Sequence, residues 1–437
     1  MGDSGTLDVV VVGAGAAGLA AARRLTNESR RVVVIEARDR AGGRVWPFAA
    51  VPGSWAELGA EFIHGSAPLA YELLREANLG WDPTEGERWG RTPGGTLQRE
   101  DDSFGADPSL FDALRDLSDD VSMSEYLGRF HGDPQMRSRV ESAIAFAEGF
   151  DAADPRIASA RAIAAEWSSG VDDRSTRPRG TYRPLFDFLL DTCTKNGARF
   201  HFSTVVERIA WSAGRVEIES KDARGALRTI RARACVVTLP AGVLRHAGDA
   251  TAIAFDPPLP ADKRRALEHV ETGDVVKVAL WFRSRFWEHI ENGRYRDAAF
   301  FSTAGEPLAV YWNAIPRRDA IVCAWSGGPP ATALLRLSRD ALVDLAVRGF
   351  GALFGEERLA REEFVTGAVH DWRADPFARG AYSYLTVGAG DARAVLGAPV
   401  EGTLFFAGEA TALDGEGGTV NGALRSGDRA AREIDLA

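Results

Sequence analysis

Two short runs of apolar residues near the N-terminus are separated by a glycine-rich and alanine-rich stretch. Val9–Val12 and Val32–Ile35 contain no polar position, which is typical of parallel strands buried on both faces. The stretch between them opens with glycines and continues as an alanine-rich helix. The pattern predicts a strand, a helix and a second strand, and therefore an α/β fold with a parallel sheet.

Later segments predict further strands and a terminal helix. Ser203–Trp211 and Ala234–Leu244 are rich in β-branched residues. Gly273–Phe282 also reads as a buried strand, although Lys277 stands in its middle. Desolvating an ammonium group costs several kcal/mol unless a partner compensates, so this lysine requires a physical reason. From Val420 onward, the apolar residues fall on one face of a helix.

Length and composition limit the class of protein. The chain has 437 residues, too many for one core, and a formal net charge of −10, which argues against nucleic acid as its main partner. Cys193, Cys235 and Cys323 are far apart, so we expect no disulfide framework, no metal site and a reducing, cytoplasmic location. No apolar run reaches about eighteen residues, so no membrane span is expected. The sequence leaves monomer and homodimer open.

The first turn carries a nucleotide-binding fingerprint. Gly13, Gly15 and Gly18 have the G-x-G-x-x-G spacing, which allows a tight turn, close approach of a pyrophosphate and close packing of helix on strand. Glu36 ends the second strand, where a carboxylate can accept hydrogen bonds from a ribose diol. The fingerprint predicts a dinucleotide site but does not distinguish FAD from NAD.

The residues after Glu36 favour FAD. The sequence EARDRAGGRVW adds Arg38, the glycine pair Gly42 and Gly43, and Arg44, which offer further contacts to phosphates and which NAD enzymes do not usually carry. With this block, GAGAAGL, IEARDRAGGRV and ELGAEFIHG resemble the opening of the flavin-containing amine oxidase family. The resemblance implies a Rossmann-like, glutathione-reductase-like FAD domain interleaved with a mixed α+β substrate domain.

Later blocks of the same resemblance recur in the family's order. The backbone near Val206 is expected to meet the adenine, and Trp372 and Tyr382 are expected to face the flavin. GDVVKVALWFRSRFW places Lys277 at the family's active-site lysine, which approaches flavin N5 through a water. The helix that starts at Thr419 and Val420 is expected to direct its N-terminal N–H groups at the flavin.

The fingerprint and the resemblance together assign the cofactor. The expected FAD-binding residues are Gly13, Gly15, Ala17, Gly18, Glu36, Arg38, Gly43, Arg44, Gly59, Ala60, Glu61, Val206, Trp372, Gly408, Glu409, Thr419 and Val420. Within this set, Glu61 is assigned to packing at the flavin end. The position that carries a covalent flavin thioether in monoamine oxidases is Ala381 here, so we expect non-covalent FAD.

The same resemblance predicts the chemistry. Lys277 and Tyr382 are the expected catalytic residues, and His64, Tyr382 and Thr419 are expected to line the substrate pocket. Thr419 matches the polyamine oxidases and the histone-lysine-demethylase branch, and His64 resembles the polyamine oxidase and spermine oxidase version of its motif, so the resemblance is nearest the polyamine oxidases. The prediction is hydride transfer from the carbon beside an amine nitrogen to flavin N5, hydrolysis of the imine, and reduction of O2 to H2O2.

Several alternatives stay open. L-Amino-acid oxidases place an arginine in the segment equivalent to GAEFIHG, and no arginine occurs between Arg44 and Arg75, which favours an amine without an α-carboxylate. Carotenoid-desaturase-like and protoporphyrinogen-oxidase-like enzymes share the fold but explain Lys277 and RGAYSY less well. The histone-demethylase branch normally adds a long helical insertion, for which no heptad pattern is found. An alternative of another class is an FAD-binding protein without turnover.

The blocks divide the chain into interleaved parts. Residues 1–63, 194–259 and 371–437 are expected to form the FAD domain, and residues 64–193 and 260–370 the substrate domain. Stretches rich in proline, glycine, serine and charge, such as SSGVDDRSTRPRGTYRP, have the composition of connections between the two.

Overall fold

The structure is a computed structural model that describes residues 7–91, 95–100, 110, 114, 119–130, 132–170, 175–249 and 251–436. Residues 1–6 and Ala437, the two ends of the expected FAD domain, lie outside this set, as do residues 171–174 of the proposed connection. In the described part, no helix has the length and apolar character needed to cross a membrane, and no group of three or more metal-ligating side chains occurs.

Twenty-two strands are described. In chain order they are β1 (Leu7–Val12), β2 (Val32–Ile35), β3 (Pro47–Val51), β4 (Ser54–Glu57), β5 (Ile63–His64), β6 (Trp81–Pro83), β7 (Glu87–Arg91), β8 (Gln98–Glu100), β9 (Ser175–Pro178), β10 (Arg199–His201), β11 (Thr204–Ser212), β12 (Arg215–Asp222), β13 (Leu227–Val237), β14 (Ala254–Asp256), β15 (Val270–Thr272), β16 (Val275–Phe282), β17 (Ala298–Thr303), β18 (Val310–Asn313), β19 (Ile321–Gly327), β20 (Phe364–Val369), β21 (Ser383–Leu385) and β22 (Leu404–Phe406).

Thirteen α-helices are described with them. They are α1 (Ala16–Asn27), α2 (Pro68–Glu76), α3 (Met123–Gly128), α4 (Arg137–Gly149), α5 (Ala160–Trp167), α6 (Arg183–Lys195), α7 (Ala241–Arg245), α8 (Ala261–Glu268), α9 (Gly328–Leu334), α10 (Arg339–Phe354), α11 (Glu357–Glu363), α12 (Ala392–Gly397) and α13 (Val420–Leu436). Short 3₁₀ helices span Phe286–Gly293 and Glu409–Thr411.

The first large sheet has the order β10-β2-β1-β13-β12-β11-β14, and β22 also pairs with β13. β1 runs parallel to β2 and β13, with Val9 opposite Val32, whereas β11, β12 and β13 form an antiparallel meander. Val9 and Val11 enter one hydrophobic cluster and Val10 and Val12 another, on the opposite face. The two apolar runs are therefore strands covered on both sides, as their composition predicts.

Helices α1, α2, α6 and α13 contribute to the core on the face of Val9 and Val11. All strands of this sheet come from residues 7–35, 199–256 and 404–406, inside the three segments expected for the FAD domain. Helices α2 and α6, which the sequence placed in the 64–193 segment, share that core. The division into domains stays a prediction, and this packing shows that the core does not stop at residue 63 or 194.

The second large sheet has the order β20-β16-β19-β18-β17-β7-β8. All eight residues of β16 are buried, because the strand lies between β19 and β20 and a helical layer that includes α10 packs against the sheet. Lys277 lies opposite Trp325 of β19. The lysine singled out by the sequence is thus on an interior strand, not on a sheet edge.

Candidate functional site

One cavity of about 1380 Å³ runs along the first sheet and reaches β16. Ordinary small-ligand pockets measure roughly 300–1,000 Å³, so this cavity has room for a dinucleotide and a second molecule. Of the residues expected in the site from sequence, all except Gly18 line it. The structure therefore brings together segments that are up to about 400 residues apart in the chain.

The glycine turn after β1 forms one end of this cavity. Gly13 has φ of +107°, a conformation that side-chain-bearing residues rarely adopt. A Cβ on Gly18 would lie 1.9 Å from the carbonyl oxygen of Gly13, so the third glycine permits the close packing of α1 on β1. Gly18 thus acts from behind the cavity wall, while Gly15 and Ala17 form the wall itself.

Glu36 follows β2 and is almost completely buried. Its two carboxylate oxygens accept hydrogen bonds from the backbone N–H groups of Ala14 (2.7 Å) and Arg38 (2.8 Å). Burial raises the pKa of this carboxyl, against the effect of those two donors. Each carboxylate oxygen has a second acceptor site, so Glu36 can hold the glycine turn and accept from a ribose at the same time.

Arg38 and Arg44 line the cavity but also have carboxylate partners. Arg38 donates two hydrogen bonds to Asp375, at 2.8 and 3.0 Å. Arg44 pairs with Glu409 at 2.8 Å and donates to the carbonyl of Ala381. From sequence, both guanidinium groups were expected to contact phosphates. A phosphate would share each of them with its carboxylate partner, and the phosphate contacts stay a prediction.

Lys277 lies on the cavity wall and is 3% exposed. Its Nζ donates to Glu61 Oε2 at 2.6 Å and to the carbonyl of Gly59 at 3.1 Å, and it lies 5.4 Å from the ring of Trp312. A buried ammonium with a close carboxylate and a carbonyl acceptor is compensated for its desolvation. This arrangement supplies the physical reason that the strand pattern required.

Glu61 is the centre of that arrangement. Its Oε1 accepts from Arg177 Nε at 2.8 Å, and its Oε2 accepts from Trp312 Nε1 at 3.1 Å in addition to Lys277. Burial by itself would raise the pKa of Glu61, but the charges of Lys277 and Arg177 outweigh it and lower the pKa to about 2. The packing role assigned to Glu61 from sequence therefore understates its contacts: it is the counterion of two buried cations.

Sequence reasoning missed Arg177 and Trp312. Arg177 falls in a stretch whose proline, glycine and charge content resembles a connection, yet its described part forms β9, which pairs with β5 and β6. This pairing brings Arg177 within hydrogen-bond distance of Glu61. Local composition carries no signal for such a contact between residues 116 positions apart.

Aromatic side chains form much of the cavity wall. The hydroxyl of Tyr382 donates to the carbonyl of Phe150 at 2.5 Å, and burial raises its pKa far above the ordinary value. Its ring lies against Gly418, where φ is +72°. Other aromatic residues on the cavity wall, mostly unassigned from sequence, are Phe62, Phe146, Phe150, Phe300, Trp312, Trp325, Trp372 and Phe377.

His64 and Thr419 also line the cavity, each with internal partners. His64 Nδ1 lies 2.9 Å from Ser175 Oγ, and burial lowers the pKa of the imidazole to about 4, so the ring is neutral at neutral pH. Thr419 Oγ1 accepts from the backbone N–H of Gly422 and donates to the carbonyl of Glu416. Thr419 thus caps α13.

Glu409 connects the start of α13 to the Tyr382 segment. Its Oε2 accepts from Ser383 Oγ at 2.6 Å and from the backbone N–H of Gly418 at 3.0 Å.

Trp372 is anchored by its indole N–H to the carbonyl of Leu58, and Ala381 presents only a methyl group to the cavity. No nucleophile for a covalent flavin link stands at position 381.

The residues of the cavity fit a flavin dinucleotide. The glycine turn, the ribose-type acid Glu36, the N-terminus of α13 and Lys277 all line one continuous cavity, and these are the groups that a flavin dinucleotide requires. Thr419 Oγ1 already accepts from the N–H of Gly422, so the other N–H groups at the start of α13 are the ones that would face an electron-rich ring edge.

Comparison with known proteins gives one family. The model of the family described as flavin containing amine oxidoreductase matches residues 16–435. Human lysine-specific histone demethylase 2 is 28% identical over 461 residues, covering 98% of this chain and 53% of that protein. The chain thus spans about half the length of the demethylases that it matches.

Polyamine oxidase 3 of Oryza sativa subsp. japonica is 27% identical over 477 residues, covering 99% of this chain and 90% of that protein. Among solved structures, putrescine oxidase bound to putrescine superposes with a TM-score of 0.81 at 23% identity, covering 99% of both chains. These findings confirm the resemblance and the fold class expected from the motifs. They do not test the role of any single residue.

Proposed function

The chain belongs to the flavin-containing amine oxidoreductase family, and from this premise we propose that it is an FAD-dependent oxidase of amines that lack an α-carboxylate, nearest the polyamine oxidases. When bound, FAD would supply the hydride acceptor for the carbon beside the amine nitrogen, and O2 would take the resulting two electrons together with two protons, one from the hydride and one from solvent, to give H2O2. The iminium product takes up water and gives a carbonyl compound and the remaining amine or ammonium.

Residues of this chain would hold FAD without a covalent bond. The glycine turn and Glu36 would bind the adenosine half, Val206 the adenine side, and α13 the flavin edge. Ala381 offers no atom for a thioether. Denaturing the purified protein with acid should therefore release all of its flavin into the supernatant; flavin that stays with the precipitate would contradict this assignment.

The observation that carries the proposal is the buried ammonium of Lys277 on the cavity wall. A positive charge held 2.6 Å from Glu61, inside a cavity shared with the glycine turn, can orient a water and favour negative charge on its neighbours. A packing role for Lys277 would explain the apolar surroundings of its stem. It would not explain the Glu61 carboxylate and the Gly59 carbonyl that bind its nitrogen.

The aromatic wall supports a neutral amine as the reacting form. Tyr382 and Phe150 surround the space beside α13, and low polarity disfavours the charged form of a bound amine. His64 is neutral at neutral pH and can donate or accept one hydrogen bond without adding charge. Together they would align an amine carbon with the flavin.

One observation favours a second candidate, an oxidase of amino acids. Arg88 of β7 lines the same cavity, with its guanidinium carbon 4.5 Å from the ring of Phe300. An arginine in the cavity is the group that would clamp a substrate carboxylate. The absence of arginine between Arg44 and Arg75 excludes such a clamp only from residues 45–74.

An anaerobic substrate panel tests both candidates. Purified holoprotein is mixed with polyamines, monoamines and L-amino acids, and the flavin absorbance is followed. Loss of the oxidised flavin spectrum with carboxylate-free amines supports the proposal, and loss with amino acids alone supports the second candidate. An unchanged spectrum throughout would overturn both and favour an FAD-binding protein without turnover.

A further inference from the structure

A second, small cavity adjoins the Lys277 cluster. It measures about 30 Å³ and shares Glu61 and Trp312 with the main cavity. A cavity needs roughly 10–15 Å³ on this measure to hold a water, so one or two waters fit. Glu57, Asp82 and Arg177 contribute polar groups to its walls.

Glu57, the last residue of β4, is a buried carboxyl outside the main cavity's lining. It is 5% exposed, and its Oε1 accepts from the backbone N–H of Tyr182 at 2.7 Å. Within the described residues, Glu57 Oε2 has no hydrogen-bond partner in the protein, nor has Arg177 Nη2. Both residues line the small cavity. Buried polar atoms of this kind are normally satisfied by ordered water.

We propose that Glu57 is a positioning residue for Lys277: a carboxylic acid that keeps its proton at neutral pH, joined to the Glu61–Arg177 pair through water in the small cavity, so that the buried cluster carries one net positive charge. The consequence for catalysis rests on the proposed function. The protonation state itself does not.

The charge of the cluster follows from its members. Lys277 and Arg177 are cations, Glu61 is an anion, and a protonated Glu57 adds nothing. Burial is the largest effect on Glu57 and raises its pKa to about 8, helped by the negative charge of Glu61, whereas the N–H of Tyr182 and the charges of Lys277 and Arg40 oppose it. An ionised Glu57 would cancel the net charge.

The other groups that face Glu57 or the small cavity come from several elements. They are Arg40, Glu61, Asp82, Arg177, Tyr182, Lys277, Arg317 and Cys323. Glu61 is held ionised by two cations, Asp82 pairs with Arg179 at 3.0 Å, and burial raises the pKa of Cys323 to about 12. Of Glu57, Glu61 and Cys323, Glu57 is the one whose pKa lies nearest neutral pH.

A positive charge beside a reduced flavin favours transfer of electrons to O2, because negative charge develops on the oxygen. Loss of the Glu57 proton should then slow reoxidation as pH rises through about 8. The effect should be smaller than that of removing Lys277, since Glu57 acts from behind it. We expect the rate of reoxidation to change by at most about tenfold, because the charge of Glu57 acts on the flavin from a distance.

Reoxidation of dithionite-reduced holoprotein tests the consequence without any amine substrate. Wild type and Asp82→Asn, which changes an acid in the same small cavity, should both slow about three- to tenfold between about pH 6.5 and about pH 9.5. Glu57→Gln, which stays neutral, should lose this step and keep the faster rate. An unchanged pH step in Glu57→Gln would overturn the proposal.

Infrared titration of the same proteins tests the protonation state directly. The carbonyl stretch of a protonated carboxylic acid should be present near neutral pH in wild type and Asp82→Asn, disappear as pH rises through about 8, and be missing in Glu57→Gln. If Glu57→Gln does not fold, Glu61→Gln serves instead, because removing the neighbouring charge must move the transition to lower pH. Absence of the band in wild type at neutral pH would overturn the proposal, whatever the enzyme's substrate.

Discussion

Two lysines of this protein, Lys263 and Lys277, are both almost fully buried, at 2% and 3% exposure. Lys263 lies in α8 and donates to three backbone carbonyls at the end of α12, those of Val395, Leu396 and Ala398, at 2.7–3.0 Å. Lys277 instead meets one carboxylate and one carbonyl on the wall of the main cavity. One ammonium satisfies a helix end; the other faces a site.

The difference shows how partners decide the meaning of a buried charge. Lys263 Nζ donates all three of its N–H groups to backbone carbonyls, and burial lowers the pKa of Lys263 to about 8. Such a group fixes α12 against α8. Lys277 donates to Glu61 and to the carbonyl of Gly59, and it shares Glu61 as a counterion with Arg177. Charged groups therefore surround Lys277, and it lies on the wall of the main cavity. The buried fraction of the side chain does not by itself distinguish Lys263 from Lys277.

Removal of Glu61 should have the largest effect, since it takes away the partner that sets Lys277 apart from Lys263. Glu61→Ala leaves two buried cations without a carboxylate, and the free energy of unfolding should fall by about 3–5 kcal/mol in denaturant titration. Asp344→Ala, which removes a half-exposed helix pair with Arg348, should cost less than about 0.5 kcal/mol. Equal effects of the two variants would mean that the buried cluster is not coupled.

Glu61 also gives this region a pH dependence. Its pKa is lowered in the folded protein, so it contributes stability that is complete above the ordinary carboxyl pKa of 4.5 and is lost as pH falls toward about 2. Glu61→Gln should flatten acid unfolding in that window relative to wild type.

The Lys263 side of the comparison is broken by Lys263→Met. The change leaves three carbonyls at the end of α12 without donors, and the free energy of unfolding should fall by about 2 kcal/mol. Turnover at saturating substrate should stay within about twofold of wild type, because Lys263 is not on the cavity wall. A large loss of turnover in a folded, FAD-bound variant would show that the two lysines do not differ as described.

The matching change, Lys277→Met, should act on chemistry. Flavin reoxidation or turnover should slow at least about tenfold, equal to about 1.4 kcal/mol, while FAD remains bound by its absorbance spectrum. Lys263→Met is the control for loss of a buried ammonium. Wild-type kinetics in Lys277→Met would remove the role proposed for it.

His64→Asn sharpens the cavity side with a smaller effect. Asparagine can keep a hydrogen bond with Ser175, so we expect a rise in KM of about threefold with little change in kcat. Because the folded-state pKa of His64 is about 4, its proton should not appear in the activity profile between about pH 6 and about pH 8. A titration step in that range that vanishes in His64→Asn would contradict its neutral state.

The pattern along the chain predicted the parts that depend on local order. Val9–Val12 lie on one strand, Gly13 lies in the turn after it, Gly18 lies in the helix that follows and Glu36 comes directly after the next strand, so spacing along the chain fixes their geometry. The start of α13 was predicted at Thr419 and Val420 because glycines before a helix and an apolar face after them are both visible in sequence. Lys277 was noticed because a charge interrupts an apolar strand.

Contacts between distant segments could not be predicted from local sequence patterns. Arg177 meets Glu61 through the pairing of β9 with β5, and Trp312 reaches Glu61 from β18. Neither segment shows a local pattern that specifies its partner. The aromatic wall around Tyr382 likewise draws on strands and helices whose relative positions follow only from packing.

The amino-acid sequence by itself determined the nucleotide turn, the strand and helix that flank it and the family to which the chain belongs, since these depend on neighbours a few residues apart. Only the tertiary structure decided that Lys277 shares Glu61 with Arg177, that Lys263 caps a helix, and that Glu57 ends beside a water-sized cavity. The physical reason is that the energy of a buried charge depends on which groups surround it in space, and packing brings those groups from every part of the chain.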